Sequence, residues 1–590
     1  MRPFSTGKWN LAELVDDPYS PSFKKRLQGI ESKVSSFEKN KSHLSSNISE
    51  KKFLAVLCSL EEIIEKFSIV SGYASLEYSS DTQSDKTTSL LTKMRKFGAE
   101  IDNRTLFFDQ WWKKQIDERN ARRLMQNSGE LYEFLKHKRT LARYSLSEPE
   151  EKIINTLDVT GHSALVKLYD KITNAFQFTV RIDGRTLTYT REGLAQLVRS
   201  PKAKTREIAY KSLLTQFDKN KGVLGEIYQN IVQNWKDECI QIRGYSAPIS
   251  VRNIGNDVDD KTVESLISAC KDNADVFRRF FSLKASLLKT KKLRRYDLYA
   301  PIHKKEEKRY TYDKAVKTVL QTLKDFSPTL GEFAKRVFVE NHVDSQIRIG
   351  KRSGAFCSTV TPKITPYVLL NFKGRTNDVF TMAHELGHAI HSIAASDKSI
   401  FIQEASLPLA ETASTFSEML LFDRILSQVS EKEQQSILVD HIDDLYATVG
   451  RQSYFTVFEI DAHQKIGDGA TVQDISNTYM NTLKEQFGSS LTISPDFAVE
   501  WTCIPHFFHS PFYCYSYSFG NLLSLSLFQQ YKKEGRSFAP TYLKILASGG
   551  SRKPEELLEE YGIDITSERF WQEGFDYIRN QTKRLEKVIN

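Results

Sequence analysis

Glycine and proline are scarce in this chain, with 27 glycines and 16 prolines among 590 residues. Soluble proteins average about 7% glycine and about 5% proline, so the composition argues against collagen-like chains, long disordered segments and all-β chains with many turns. Hydrophobic residues make up 40% and charged residues 27%, which are ordinary values for a globular protein. At about 100 to 200 residues per domain, the chain is long enough to bury a large core.

Cysteine is also rare, with six residues in the whole chain. They are scattered and never form a C-x-x-C pair. This argues against a zinc ribbon and a disulfide framework, and it is typical of reduced thiols in a cytoplasmic protein. No apolar run approaches the roughly 18 residues that a membrane-spanning helix needs, and the N-terminus lacks the apolar core of a signal peptide. We therefore expect a cytoplasmic protein without a membrane partner.

The chain also has no strong excess of one charge. It contains 83 lysines and arginines and 74 aspartates and glutamates, so its net charge is +9, which is small for 590 residues. A basic run occurs at residues 289–295, but it lies away from the aromatic tract near the C-terminus. A solvated surface explains this run better than a nucleic-acid interface, which would interleave basic and exposed aromatic residues. We expect no nucleic-acid partner.

Most of the chain has the apolar spacing of amphipathic helices. In residues 53–67, for example, apolar residues recur three and four positions apart between charged neighbours. One hairpin interrupts this pattern, where alternating residues flank Asp183-Gly184, a favoured two-residue turn. We expect a helical N-terminal domain over residues 1–195, with this hairpin near its end, and a second domain over residues 196–590.

The most informative stretch is an extended pair followed by a helix. Residues 354–360 and 367–372 are rich enough in β-branched and aromatic residues to form a hairpin or paired strands, with Thr361-Pro362 in the connection. Asn377-Asp378 can then cap a helix that continues over residues 379–394. The sequence thus predicts strand, turn and helix, and the helix carries the motif H-E-x-x-H.

This motif consists of His384, Glu385 and His388. Histidines four residues apart project from the same helical face, where both imidazoles can bind one zinc ion, and Glu385 beside them can act on a metal-bound water. The apolar residues of the helix form a separate face, so the histidines are not needed in the core. A zinc site is therefore favoured over a coincidental pair of surface histidines.

A catalytic zinc site needs a third protein ligand. The metzincin pattern places a histidine ten residues after the first, but this position is Ala394, so that class is excluded. Residues 406–422 predict an amphipathic helix on which Glu411 and Glu418 share one face. We expect Glu411 to be the ligand and keep Glu418 as the alternative, or as a partner of a ligand; Glu404, before the helix starts, is least favoured.

An aromatic tract follows at residues 505–520. Pro511 suits the first turn of a helix on which Tyr513 and Tyr517, four residues apart, would share a face. Taken alone, such aromatic residues are more typical of a core than of a functional site.

Taken together, these motifs make the sequence similar to the oligoendopeptidase F branch of the thimet oligopeptidase family of zinc peptidases. The family block E-x-x-S-x-x-x-E matches Glu411, Ser414 and Glu418, and the resemblance places the zinc ligand on Glu411. Other matching tracts are residues 9–14, 296–301, 351–356, 458–463 and 504–506.

The resemblance implies a mainly α fold, in which an elongated helical ellipsoid contains a deep substrate channel and a small β-sheet lies beside the H-E-x-x-H helix. It also implies a metalloendopeptidase with one zinc ion (Zn2+) per chain and its catalytic domain in residues 196–590. Such an enzyme would hydrolyse internal bonds of short, unstructured oligopeptides through a zinc-bound water activated by Glu385.

Further site residues are implied by the same resemblance. His506 and tyrosines of the aromatic tract would donate hydrogen bonds to the tetrahedral oxyanion, and we expect Tyr513 and Tyr517 in this role rather than Tyr515. The sequence departs from its relatives at residues 508–509, where they usually carry tyrosines.

The substrate would bind along a strand edge, where main-chain pairing gives broad sequence tolerance. The residues expected there are Gly354, Ala355, Phe356 and Cys357. The sequence assigns no role to His391.

Two other functions would require different residues. A related helical zinc exopeptidase, similar to a carboxypeptidase, would need a group that binds a peptide terminus, and no such group is identifiable. A non-catalytic peptide-binding protein would lack Glu385 or a metal ligand, whereas all of these residues are present.

Overall fold

The structure, a computed structural model, describes residues 3–302 and 309–589. The chain forms two compact units, each assembled from three stretches. The first unit comprises Met1–Arg143, Glu307–Ser427 and Gln530–Ile563, and the second comprises Tyr144–Glu306, Gln428–Gln529 and Asp564–Asn590. Neither unit is one continuous part of the sequence, and the domain boundary after residue 195 stays a prediction.

Helices dominate both units. Numbered along the chain, the first thirteen are α1 (Pro21–Glu38), α2 (Glu50–Ser80), α3 (Asp85–Gln110), α4 (Glu118–Gln126), α5 (Tyr132–Ala142), α6 (Glu148–Asp158), α7 (His162–Asn174), α8 (Arg191–Leu197), α9 (Ala203–Lys219), α10 (Lys221–Trp235), α11 (Ser250–Gly255), α12 (Asp260–Asp272) and α13 (Ala274–Leu287). The others are α14 (Tyr312–Phe326), α15 (Pro328–Val339), α16 (Thr376–Ala394), α17 (Leu407–Ala410), α18 (Thr412–Leu426), α19 (Glu431–Leu445), α20 (Arg451–Gly467), α21 (Val472–Phe487), α22 (Pro505–His509), α23 (Tyr515–Glu534), α24 (Ala539–Ala547), α25 (Pro554–Glu559) and α26 (Glu568–Ile589).

The strands are short and form small sheets. They are β1 (Phe178–Ile182), β2 (Arg185–Tyr189), β3 (Leu293–Arg294), β4 (Val343–Asp344), β5 (Phe356–Ser358), β6 (Tyr367–Leu369) and β7 (Leu491–Thr492). The predicted hairpin is confirmed as the antiparallel pair β1–β2. Its turn residues Asp183 and Gly184 have φ values of 48° and 81°, as a tight two-residue turn requires.

The three-stranded sheet of the first unit has the order β4-β6-β5. Strands β5 and β6 are antiparallel, with Cys357 opposite Val368, so the hairpin predicted over residues 354–372 is confirmed. Because β5 pairs only with β6 within this sheet, it is an edge strand. Both β5 and β6 pack against α16.

The cores are built from the apolar faces that the sequence predicts. Helix α2 buries Phe53, Val56, Leu57 and Ile63 from the periodic segment, and Ser49 caps its first turn by accepting a hydrogen bond from the Lys52 N–H at 3.3 Å. In the second unit, Trp501 and Trp571 are fully buried. The mainly α fold with a small sheet beside the H-E-x-x-H helix is thus confirmed.

In the part of the chain that the structure describes, none of the helices combines the length and the apolar character needed to cross a membrane.

Candidate active site

Helix α16 positions the H-E-x-x-H motif. The carboxylate of Asp378 accepts hydrogen bonds from the backbone N–H groups of Arg375 at 3.0 Å and Lys373 at 2.6 Å. The sequence predicted that Asp378 caps the helix from a position ahead of its first turn. The helix already begins at Thr376, so Asp378 instead lies within the first turn and caps the helix from there. The buried apolar face comprises Val379, Met382, Ala383, Leu386, Ile390 and Ile393.

Gly387 allows α16 to approach the start of α18 closely. A Cβ atom at this position would lie 2.5 Å from the Ala413 carbonyl oxygen and 2.5 Å from the Ser414 Cα. Any larger residue would therefore push the two helices apart. Gly387 was not among the predicted site residues, although a mid-helix glycine costs about 1 kcal/mol relative to alanine and so signals a packing constraint.

Glu411 lies at a break between two helices. The sequence predicted one helix over residues 406–422, but α17 ends at Ala410 and α18 begins at Thr412. The Ser414 hydroxyl lies 2.7 Å from Glu411 Oε2 and 3.0 Å from the Glu411 carbonyl oxygen, and its proton is shared between these two acceptors. The carboxylate is thus held in place at the N-terminus of α18, where the helix dipole favours negative charge.

His384, His388 and Glu411 converge on one point. The two histidine Nε2 atoms are 3.2 Å apart, and Glu411 Oε2 lies 3.5 Å from each of them. In a tetrahedral zinc site with ligand distances of about 2.0 to 2.1 Å, two ligand atoms are about 3.3 to 3.4 Å apart. The three side chains therefore have the spacing of three corners of such a site.

Glu418 contacts the other nitrogen of His384. Its Oε1 lies 2.5 Å from His384 Nδ1 and accepts the proton there, so Nε2 is the ring nitrogen directed at His388 and Glu411. His388 in turn is hydrogen-bonded to the backbone of Ala410. Glu418 is therefore a partner of His384 in this geometry and does not join the group of three.

Carboxylates set the charge of this site. Burial lowers the pKa of His384, but the hydrogen bond to Glu418 and the negative charges of Glu418, Glu411 and Glu385 outweigh it and raise the pKa to about 9. Burial lowers the pKa of His388. Burial is also the main reason why the pKa of Glu385 is raised to about 7. The site thus attracts positive charge, and Glu385 can gain or lose a proton near neutral pH.

A cavity of about 360 Å³ opens beside Glu385 and His388. Ala355, Phe356 and Cys357 of the expected substrate strand line it. The backbone of Cys357 also forms a hydrogen bond with the Glu385 carboxylate. The edge strand, the glutamate and the histidine therefore border one cavity.

The remaining residues of this region have different surroundings. Gly354 precedes β5 with a φ of 81°, and its carbonyl oxygen accepts a hydrogen bond from Asn371 Nδ2 at 2.8 Å. Glu404 and His391 line the same cavity. Because His391 is buried, its pKa is lowered to about 4, and it is neutral at physiological pH.

In the second unit, His506, Tyr513 and Tyr517 form a cluster. The His506 and Tyr513 rings are stacked with centroids 5.9 Å apart, and the Tyr517 hydroxyl lies 3.5 Å from His506 Nε2. The predicted helix start at Pro511 is wrong, because α22 ends at His509 and α23 begins at Tyr515. Tyr513 therefore lies in the connection before α23.

Its neighbours in the tract are structural. Tyr515 is fully buried, and its hydroxyl accepts a hydrogen bond from Asn256 Nδ2 at 2.8 Å. Phe508 is buried and stacks on Tyr169 with centroids 3.8 Å apart, while His509 Nε2 lies 2.8 Å from an Asp170 carboxylate oxygen. The residues that depart from the family pattern thus join the packing of α22 on α7.

Comparisons with known proteins show which family the chain resembles. Residues 196–577 match the sequence profile of peptidase family M3. An oligoendopeptidase F homolog of Borreliella burgdorferi is 26% identical over 99% of this chain and 98% of that protein. A crystal structure of a protein from Chlamydophila abortus has a TM-score of 0.88 at 24% identity, covering 98% of each chain. The crystal structure of oligoendopeptidase-F from Enterococcus faecium has a TM-score of 0.71 at 19% identity, covering 96% of this chain and 99% of the other. The chain therefore belongs to peptidase family M3, and it is a metalloendopeptidase.

Proposed function

We propose that this protein is a zinc-dependent oligoendopeptidase that cleaves internal bonds of short, unstructured peptides. The observation that carries this proposal is the convergence of His384, His388 and Glu411 next to the partly buried carboxyl of Glu385. Relatives named oligoendopeptidase F cover nearly the whole chain, which supports the substrate class. All six cysteines are free, which is compatible with action in the reducing cytoplasm.

The three converging side chains fit a zinc ion. Two imidazole nitrogens and one carboxylate oxygen meet at 3.2 to 3.5 Å, an arrangement that is repulsive unless a proton or a cation lies between them. The raised pKa of His384 shows that this position favours a positive charge, and a zinc ion would take the place of the proton. One ion per chain would be held by His384, His388 and Glu411. When bound, zinc supplies Lewis acidity, which lowers the pKa of water and polarises a carbonyl group.

Glu385 is the general base and then the general acid. Its carboxylate takes a proton from the attacking water and passes this proton to the nitrogen of the leaving amine. A pKa raised to about 7 by burial suits both steps, because the carboxyl exchanges its proton readily near neutral pH. The hydrogen bond from the Cys357 backbone fixes the direction of the carboxylate.

The peptide substrate binds along β5. This strand is the edge of its sheet, and Ala355, Phe356 and Cys357 border the cavity beside Glu385. Main-chain hydrogen bonds from an edge strand hold an extended peptide without demanding a particular sequence. Gly354 belongs to the same segment and keeps the approach to the strand free of a side chain.

His506, Tyr513 and Tyr517 stabilise the oxyanion. Burial lowers the pKa of His506, so its imidazole is neutral at physiological pH and one ring nitrogen donates a hydrogen bond. Tyr513 and Tyr517 each offer a hydroxyl, and both rings pack around His506. This role follows from the family resemblance, and the grouping of the three side chains supports it.

The test compares the wild type with Glu385→Gln. We expect the variant to bind one zinc per chain, measured by inductively coupled plasma mass spectrometry, while peptidase activity falls by several orders of magnitude, because this glutamate is a base and not a ligand. Glu332→Gln, at an exposed glutamate of the same unit, serves as the control. Mass spectrometry of the digest distinguishes internal cleavage from trimming of the ends. Wild-type turnover in Glu385→Gln, or products trimmed only from one terminus, would contradict the proposal.

A further inference from the structure

Glu459 is a buried carboxyl without an ion pair among the described residues. It belongs to the tract 458–463 on α20, and its side chain is fully inaccessible to solvent. One oxygen, Oε1, accepts a hydrogen bond from the Phe512 backbone N–H at 2.8 Å. The second oxygen has no hydrogen-bond partner within residues 3–302 and 309–589. Such a group is costly to bury, so its retention calls for a reason.

The peptide group between Pro511 and Phe512 is held from both sides. Its N–H donates to Glu459, while its carbonyl oxygen accepts hydrogen bonds from Arg252 Nε and Nη2, both at 3.2 Å. The Glu459 carboxyl and the Arg252 guanidinium therefore form hydrogen bonds to opposite edges of one peptide plane. We call this arrangement the peptide clamp.

The clamp lies at a point of unusual backbone conformation. Phe512 has a φ of 58°, in the left-handed region that side chains other than glycine rarely adopt. Its ring is fully buried and packs on His463 with centroids 4.5 Å apart. Because the conformation is unfavourable by itself, the hydrogen bonds and the ring contact must maintain it.

The direction of Tyr513 depends on this peptide plane. Tyr513 is the next residue in the chain, its ring stacks on His506, and the Arg252 guanidinium carbon lies 6.0 Å from the centre of the same ring. A rotation of the peptide plane between residues 511 and 512 would swing the Tyr513 side chain away from His506. The clamp thus links the buried Glu459 and the partly buried Arg252 to the aromatic cluster.

We propose that Glu459 and Arg252 are positioning residues, which hold Tyr513 against His506 in the geometry needed to stabilise the oxyanion. This inference rests on the role proposed above for His506 and Tyr513. It adds two residues that touch neither substrate nor metal and that act through the backbone of Phe512.

The protonation state of the Glu459 carboxyl determines which substitution is conservative. Burial raises the pKa of Glu459 to about 8, so the group is mostly protonated at neutral pH. Glutamine then matches it in shape and charge and keeps an oxygen that can accept the Phe512 N–H. Leucine has a similar size but no acceptor.

The experiment measures kcat, KM, zinc content and melting temperature for Glu459→Gln, Glu459→Leu, Tyr513→Phe and the double variant Glu459→Leu/Tyr513→Phe. We expect Glu459→Leu to lower kcat about 30-fold with KM nearly unchanged, and Glu459→Gln to stay within about threefold of the wild type, since loss of an oxyanion donor acts on the transition state alone. In the Tyr513→Phe background, Glu459→Leu should lower kcat by less than about threefold, because residues that act through one group are not additive.

Two further variants separate positioning from stability. Arg252→Met removes the other side of the clamp and should give the same fall in kcat, which also covers the case that Glu459→Leu does not fold. Asp443→Asn is the matched control, since Asp443 is another buried carboxyl of the same unit, bound to Lys284 at 2.5 Å. It should lower the melting temperature and leave kcat unchanged.

Four results would overturn the inference. Equal losses in Glu459→Gln and Glu459→Leu that follow the melting temperature would make Glu459 a purely structural residue. Fully multiplicative effects of Glu459→Leu and Tyr513→Phe would show that it does not act through Tyr513. Wild-type kcat in both Tyr513→Phe and His506→Ala would refute the oxyanion role itself, and with it the reason for the clamp; a loss in these two variants without any loss in Glu459→Leu or Arg252→Met would refute the clamp alone.

Discussion

Replacing Gly387 by alanine should disrupt the metal site without changing any of its ligands. The new methyl carbon would lie 2.5 Å from the Ala413 carbonyl oxygen and 2.5 Å from the Ser414 Cα. Favourable contacts of carbon atoms are about 3.5 to 4.0 Å long, so α16 and the start of α18 must separate by about 1 Å. Glu411, two residues before Ala413, would move with α18.

This displacement is large on the scale of the site. Glu411 Oε2 now lies 3.5 Å from both histidine Nε2 atoms, and a shift of about 1 Å would bring these distances to roughly 4.5 Å. Two ligands at about 2.0 to 2.1 Å from one zinc ion can be at most about 4.2 Å apart, so the carboxylate could no longer share the ion with His384 and His388. We expect zinc affinity to fall at least about tenfold, the lower end of the loss seen when groups supporting a ligand are removed.

The stability of the fold should change less than the affinity for zinc. Alanine gains about 1 kcal/mol over glycine in a helix, whereas overpacking costs about 1 to 3 kcal/mol, so the net loss is about 0 to 2 kcal/mol. The assay is a competition titration with a zinc-binding dye, combined with thermal melts in the presence of a chelator. Gly29→Ala is the control, because this glycine of α1 has nothing within 4 Å of its Cβ position. Wild-type zinc affinity in Gly387→Ala would refute the argument that close helix packing places Glu411.

Four further predictions concern single side chains. Glu411→Ala should lose both zinc and activity, as measured by metal analysis, because two histidines alone hold the ion poorly. Glu418→Gln should keep zinc but bind it about 10- to 100-fold more weakly, since its partner His384 loses a charged acceptor; if Glu418 were the ligand and Glu411 only supported it, the two variants would exchange these results. His506→Ala should lower kcat by about two to three orders of magnitude with zinc content and KM nearly unchanged, whereas a mere packing role predicts a lower melting temperature and normal turnover. Glu459→Gln should resist alkaline pH better than the wild type. The folded-state pKa of Glu459, about 8, exceeds the usual 4.5, so the wild type loses up to about 1.4 kcal/mol of stability per pH unit as the pH rises between these values. Thermal melts of both proteins at pH 6 and pH 9 test this, and equal shifts in melting temperature for the two proteins would contradict it.

The sequence predicts the parts of the site that follow from regular spacing. The four-residue interval of His384 and His388 requires only a helix, and the β-branched and aromatic residues in 354–372 require only an extended pair. Both were found where expected. The family and its enzyme class follow from the same motifs, because these motifs lie on elements whose type is easily recognised.

Breaks in regular structure were harder to predict. Apolar periodicity continues through residues 406–422 whether or not the helix is interrupted at Glu411, so it cannot show the break. Pro511 is compatible with a helix start, yet the chain turns there and α23 begins only at Tyr515. In both places, tertiary contacts decide the backbone conformation: Ser414 holds the carboxylate of Glu411, and buried side chains hold the turn at Phe512.

The peptide clamp shows a different limit of sequence reasoning. A hydrogen bond from a side chain to a distant backbone group leaves no trace in either segment, and Glu459 and Arg252 are 53 and 259 residues away from the positions they hold. The burial of this part of α20 in the structure shows why a partner must exist. Residues 453–459 of α20 are buried on every side, so a glutamate in this segment has no solvent-facing position to occupy. A carboxyl in such a helix must find its hydrogen bond inside the fold, and the fold provides it at the turn that directs Tyr513.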